Sequence, residues 1–340
     1  MKAAVLVANG PARRAFEIRE KPDPVPTRGQ VRIRVEMFGL NFADVHARLG
    51  LYSSLPPLPV VLGYDVVGRI DAVGPGVNRF APGTRVVAMT LFGGYATSAV
   101  AIEEAVHAIP DDFDGAAALA LATQYVTAWH VAEELVRLFP GDHVLIHSAA
   151  GGVGTALVQI ARGHRCVIYG LTTSPTKLDT LRASGVDHPL CVTRENFEHE
   201  VRRVCPHGLD VIIDPIGGRF VRKGFGMLRS GGRMVCLGVS DFTIGRKSWS
   251  WIVRSLLGLG LVHPALLMQK SKGIIGVNML RTAEDRPGVI RRCLEEVVPR
   301  ALTGEFKPVV GKVYGIDRLV EAHEALERRQ TVGKVAIRWS

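Results

Sequence analysis

Apolar residues in the first third of the chain come in short runs with a period of two. VRIRVEMF, residues 31–38, alternates apolar side chains with mostly charged ones, as a strand with one wet face does. AAVLVA, VVGRIDAVG, TRVVAM and GYATSAVAI continue the pattern, with turns at Gly74-Pro75-Gly76 and Pro82-Gly83. Residues 1 to about 110 therefore read as strands of an antiparallel, barrel-like β domain. From Asp111 the pattern changes. DDFDGAAALALATQYVTAWHVAEELV opens on acids suited to a helix N-terminus and continues with helix formers. Continuous apolar runs then alternate with helical segments of about a dozen residues: HVLIHSA, CVIYGLTT, LDVIIDPIG, GGRMVCLGV and KGIIGVN. Strands buried on both faces and separated by helices indicate βαβ units in a parallel sheet. The tail is mixed, with helices in PGVIRRCLEEVVPRAL and DRLVEAHEALER and strands in KPVVGKVY and GKVAIRW. It is expected to pack back on the first domain. The fold class is α/β: a doubly wound parallel-sheet (Rossmann) domain at 126–276, inserted in a mainly antiparallel β domain made of 1–125 and 277–340.

A chain of 340 residues agrees with about two domains, and 47% hydrophobic with 22% charged residues marks a soluble globular class. MKAAVLVANG reads as a strand and not as a signal peptide. Five cysteines, Cys166, Cys191, Cys205, Cys236 and Cys293, are odd in number and widely spaced, with no C-x-x-C pair. This favours reduced thiols in a cytoplasmic setting and argues against a disulfide framework or a structural zinc. The net charge of +10 comes from scattered basic residues, with no aromatic-plus-basic module, so nucleic acid is not an expected partner and RNA binding is a distant third reading.

The stretch HVLIHSAAGGVGTALVQIAR orders strand, glycine-rich turn and helix. Such a turn brings bare amides and the positive end of a helix to one point, which suits a pyrophosphate. The spacing fits G-x-G-x-x-G with Ala149 in the first glycine's place. Ala150, Gly151, Gly152, Val153 and Gly154 form the loop, with Gly151 allowing close phosphate approach and Gly154 close helix packing. About twenty residues on, NAD sites usually place an acid for the ribose hydroxyls. Here Thr172, Ser174 and Lys177 stand in a stretch without one, and hydroxyls with a lysine suit the 2′-phosphate of NADPH.

Residues 248–269, SWSWIVRSLLGLGLVHPALLMQ, fit neither pattern. They read as a helical insertion covering the sheet edge and lining a pocket, or as an interfacial membrane segment. The eleven histidines, including His143 and His147 around the first nucleotide strand, read as structural.

The layout of β domain, embedded nucleotide domain and β return, together with AAGGVG, resembles the medium-chain dehydrogenase/reductase superfamily. GLNFADVHARLGLY and LPPLPVVLGYDVVGRIDAVGPGV resemble its zinc-independent quinone oxidoreductase branch, and the vesicle amine transport protein group most of all. The resemblance covers essentially the whole chain and implies that the β domain is a GroES-like catalytic domain. Where zinc-dependent relatives place their ligands, this chain has Asn41, Tyr64 and a residue near Thr123, none a good zinc ligand, so no metal is expected. Without a Lewis acid, hydride delivery to a quinone or to the β-carbon of an activated alkene stays feasible, because conjugation accommodates the charge.

The resemblance assigns further residues. Lys177 becomes the 2′-phosphate lysine, Asn41 stands beside the nicotinamide or its ribose, and Tyr52 lies at the mouth of the substrate cleft as proton donor or anchor. Thr127 faces the nicotinamide. Gly238, Val277 and Asn278 end later strands and clamp its carboxamide, and Lys334 of the terminal VGKV is a phosphate contact. Asp44 is an orienting group and not a catalyst. The expected protein is an NADPH-dependent reductase of small hydrophobic carbonyl or quinone substrates, a homodimer with peripheral membrane contact as an added feature. The competing reading is a low-turnover, nucleotide-binding, membrane-associated adaptor.

Overall fold

Gln30–Leu40 is an eleven-residue strand whose burial alternates at first and then becomes continuous from Met37 to its end. It alternates where one face is wet and stops alternating where neighbours cover both faces. The computed structural model describes residues 1–52, 54–193, 195–238 and 264–339. The chain divides into two units, Met1–Thr127 with Met279–Ser340, and Ala128–Asn278.

In the first unit Gln30–Leu40 pairs antiparallel with Asp65–Val73, with Ser98–Ile102 and with Lys334–Arg338. The tail therefore enters the same sheet as the N-terminal strands, Val335 opposite Leu40 and Ala336 opposite Gly39. The seven-stranded sheet runs Val310–Gly315, Lys334–Arg338, Gln30–Leu40, Asp65–Val73, Arg85–Met89 and Val106–Ala108, with Ser98–Ile102 off the path. A three-stranded sheet joins Phe16–Glu20, Lys2–Leu6 and Val60–Val61. Leu6, Ile33, Phe38, Leu62, Val86, Tyr95 and Ile337 lie in the common core.

Three elements correct the all-strand reading of residues 1–110: the single turns Ala12–Ala15 and Glu103–Ala105, and the longer helix Phe42–Arg48. At its start the Asp44 carboxylate accepts the main-chain N–H of Asn41 at 2.8 Å, half of a capping box. Asp44 through Arg48 are all buried and only Phe42 and Ala43, both apolar, are partly exposed, so no polar wet stripe alternates with an apolar one to reveal the helix.

The second unit is a six-stranded parallel sheet. Its order is His188–Cys191, Val167–Thr172, His143–Ile146, Leu209–Asp214, Leu228–Cys236 and Gly273–Gly276. In chain order this is 3-2-1-4-5-6, the doubly wound arrangement whose strand order reverses between the first and fourth strands. Leu145, Tyr169, Phe197, Ile212, Phe220 and Met234 belong to its core. His143 bonds Tyr169 Oη at 2.9 Å and His147 packs edge-on to Phe220, which are structural placements.

The insertion read at 248–269 lies outside the described residues up to 263. The following helix, Pro264–Lys270, buries none of its residues. No helix among the described residues is long and apolar enough to cross a membrane.

Candidate functional site

In the second unit the strand His143–Ile146 ends at Ser148, whose φ of +54° turns the chain into the left-handed region. Gly151 N–H donates back to Ser148 O at 2.8 Å, and the helix Gly152–Gly163 begins at once. A Cβ on Gly154 would lie 2.4 Å from Ser148 O and 2.7 Å from Ala149 Cα, so the helix reaches the strand this closely only with glycine. On Gly151 a Cβ would stand 3.1 Å from the same oxygen. The amides of Gly152, Val153 and Gly154 fall in the first helical turn, where the helix has no carbonyl to offer them. Gly151, Gly152 and Val153 are partly exposed, while Ala150 and Gly154 are buried. These features make a cradle for an anion.

The neighbouring strand Val167–Thr172 ends on the same edge. Thr172 Oγ1 accepts Ser174 N–H at 3.2 Å, Ser174 and Thr176 hydroxyls lie 2.8 Å apart, and Lys177 closes the 3-10 turn. No acid stands between Tyr169 and Lys177. Across the switch point, Asp214 ends the fourth strand, fully buried, and accepts from Ile216 N at 2.6 Å and Gly217 N at 3.2 Å. Burial raises its carboxyl above the usual range, opposed by the nearby His147 and those two amides. Leu237 N–H bonds Asp214 O, and Val277 N–H bonds Cys236 O, each at 2.9 Å. Gly238, Val277 and Asn278 therefore follow the last two strands on the carboxyl edge that also carries the glycine turn.

In the first unit, Lys334 and Asp65 come from the two strands flanking Gln30–Leu40, and both have no exposure. The Lys334 ammonium lies 2.7 Å from Asp65 Oδ2, 3.1 Å from Asn41 Oδ1 and 3.3 Å from Thr123 Oγ1. Asn41 Nδ2 donates to Asp65 Oδ1 at 2.5 Å, and Thr123 Oγ1 donates to Asn41 Oδ1 at 3.2 Å. A π-helical turn, Leu121–Tyr125, carries Thr123, and Thr127 Oγ1 donates to the Thr123 carbonyl at 2.6 Å. The Thr127 hydroxyl proton is thus committed, and its lone pairs remain to accept.

Gly39 makes room for this cluster: a Cβ there would meet Asp65 Oδ2 at 1.9 Å, and the Lys334 side chain too closely as well. Beside the cluster, burial pushes the Asp44 carboxyl up to about 8, aided by the charge of Asp65 and opposed by the Asn41 main-chain N–H. Burial raises the Tyr52 hydroxyl to about 12, with Asp44 adding to it, and the Tyr52 and Tyr64 rings stand 6.2 Å apart.

Sequence reasoning missed the Asp65–Lys334 pair. Lys334, read as a phosphate contact, is corrected: a lysine on a strand between two covered faces has no water to reach, and its ammonium is held by Asp65. A lone glycine inside an apolar strand was the available signal, since it marks a close approach by something else. Zinc does not fit here. Asp65 is the one anionic donor in the Asn41, Asp65 and Thr123 set, the ammonium already neutralises it, and an amide oxygen and a hydroxyl complete the set.

Residues 27–133 match the family described as "Alcohol dehydrogenase GroES-like domain", and residues 184–337 the one described as "Zinc-binding dehydrogenase". The human synaptic vesicle membrane protein VAT-1 homolog is 31% identical over 323 residues, 95% of this chain and 82% of that protein. The crystal structure of the human VAT-1 homolog-like protein superposes with a TM-score of 0.84 at 27% identity, covering 99% of this chain and 98% of that one. A mycobacterial protein whose structure is complexed with NADPH superposes with a TM-score of 0.86 at 25% identity, covering 99% of each chain.

Proposed function

This chain belongs to the medium-chain dehydrogenase/reductase superfamily of oxidoreductases, and from that premise we propose an NADPH-dependent, zinc-independent reductase of quinones or α,β-unsaturated carbonyls. The observation that carries the reading is the glycine turn at the switch point of a 3-2-1-4-5-6 sheet, beside a second loop without an acid. The NADPH complex of the mycobacterial neighbour supports the cofactor class.

When bound, the dinucleotide supplies a hydride from C4 of its nicotinamide. The protein's part is to bind and orient. The first-turn amides from Gly152 to Gly154 hold the pyrophosphate, and Ser174, Thr176 and Lys177 hold the 2′-phosphate through hydroxyls and one charge. As hydride and its electron pair reach the β-carbon, negative charge moves to the substrate's own oxygen, where Asn41 steadies it. Burial raises the Tyr52 hydroxyl to about 12, so it keeps its proton at neutral pH and is available as a donor to the centre that hydride addition leaves electron-rich. Tyr52 or water then completes the reduction.

The test is direct. NADPH should raise the melting temperature and quench tryptophan fluorescence more strongly than NADH. Single-turnover oxidation of bound NADPH should follow with members of a quinone and enone panel. A protein that ignores both nucleotides sinks the proposal. One that binds NADPH but oxidises it with no acceptor favours the low-turnover adaptor.

A further inference from the structure

The side-chain amide of Asn41 has its hydrogen-bonding capacity almost fully assigned by the fold. Its Oδ1 receives the Lys334 ammonium at 3.1 Å and the Thr123 hydroxyl at 3.2 Å, the nearer of that hydroxyl's two acceptors, with Asp65 Oδ1 at 3.4 Å; the two contacts occupy both lone pairs of an amide oxygen. One Nδ2 proton goes to Asp65. The second has no partner among the described residues, and Asn41 is partly exposed.

An asparagine amide can in general turn over, exchanging its oxygen and nitrogen. Here the two ends face opposite charges. A flip would press the oxygen against the Asp65 carboxylate and the NH2 against the Lys334 ammonium, so both contacts would become repulsive. The charges themselves cannot rotate away, because neither side chain has any exposure and the missing Cβ of Gly39 is filled by both. The main chain is fixed as well, by the bond from Asn41 N–H to Asp44 at 2.8 Å.

We infer that Lys334, with Thr123, is a positioning residue that locks Asn41 as a one-way hydrogen-bond donor, and that the group it meets is the carbonyl oxygen of the reducible substrate. The inference rests on the reductase reading for the identity of that oxygen, but the lock itself does not. A locked donor selects carbonyl acceptors over alcohols that need an acceptor for their own proton. It also strengthens its hold as hydride addition turns the carbonyl oxygen into an enolate or phenolate. No proton leaves Asn41 in this step. The oxygen gains the electron pair displaced by the hydride, and Asn41 supplies a bond to it.

Two measurements test the lock and its consequence separately. In the full-length protein, the Asn41 side-chain 15N amide should give one pair of sharp, slowly exchanging proton signals. In Lys334→Met and in Thr123→Val these signals should broaden or shift to faster exchange, with or without turnover. Kinetically, Thr123→Val should lower kcat/KM for the best quinone or enone about tenfold, the worth of one oriented bond, while NADPH affinity stays within twofold. Thr123→Ser should restore both readouts. Should Lys334→Met fail to fold, Thr123→Val decides alone. Unchanged Asn41 signals in Thr123→Val overturn the lock. Unchanged kcat/KM, or a loss that appears in NADPH affinity with substrate kinetics intact, overturns the carbonyl assignment. Failure of the unmodified protein to bind NADPH removes the reductase reading but leaves the spectroscopic result standing.

Discussion

At the carboxyl edge of the parallel sheet, the groups offered to an anion are the main-chain amides of Gly152, Val153 and Gly154, at the start of a twelve-residue helix. In the β unit, Asp65 and Lys334 are full charges with no exposure at all. The first arrangement costs little to keep empty, because uncharged amides at a helix end are solvated by water. The second is stable only while both partners are present, because each charge stripped of water needs the other. A loop meant to exchange a ligand can be built from backbone; a fixture meant never to move can be built from a buried ion pair.

The difference predicts unequal damage. Lys334→Met leaves Asp65 buried and uncompensated and should lower unfolding free energy by about 3–5 kcal/mol, read from urea midpoints. Adding Asp65→Leu should return most of that loss, because two apolar groups restore a neutral interior. A double variant as unstable as the single would show that the pair is not what fails.

Gly154→Ala comes next. Its Cβ falls 2.4 Å from Ser148 O, so the helix must back away, at about 1–3 kcal/mol, and thermal shift by NADPH should disappear. Gly151→Ala, with more room, should weaken NADPH binding by more than it weakens folding. Equal effects on both properties in both variants would erase the contrast between packing glycine and cradle glycine.

Lys177→Ala should raise the Kd for NADPH about tenfold, about 1.4 kcal/mol, and leave NADH unchanged in the same titration. A loss shared equally by the two nucleotides would place Lys177 away from the 2′-phosphate.

The smallest effect at a fixed pH of 5 belongs to Asp44, whose signature is instead in the pH dependence. The Asp44 carboxyl, held near 8 against an ordinary 3.8, keeps a proton in the folded protein that the unfolded chain has lost. Its contribution therefore falls as pH rises from about 4 to 8. Asp44→Asn, uncharged throughout, should flatten the decline of the urea midpoint between pH 5 and 8 while changing stability at pH 5 by about 1 kcal/mol or less. An unchanged slope would mean another group titrates there.

The legible parts of the molecule were those whose cause is local. The parallel sheet announced itself through runs such as LDVIID, apolar because both faces are covered, and the glycine turn through residues whose missing side chains matter within six positions. The helix Pro287–Leu302 coincides with PGVIRRCLEEVVPRAL, the segment read as helical. The seven-residue helix at Phe42 escaped, because no polar stripe alternates with an apolar one along it, and Ser148 gave no sign that it would take a positive φ.

What the sequence by itself determined is the alternation of strands and helices in the parallel-sheet unit, the site of the nucleotide turn and the residue types around it, since periodicity and glycine placement act over a few residues of chain. What only the tertiary structure decided is how charges are paired. Asn41, Asp65, Thr123 and Lys334 are separated by up to 293 positions along the chain, and their bonds exist because strand pairing sets Lys334–Arg338 beside Gln30–Leu40. A lysine in a terminal strand reads from sequence as a group seeking an outside anion. Only the assembled sheet, which removes water from it and brings a carboxylate across Gly39, turns it into a fixed internal cation.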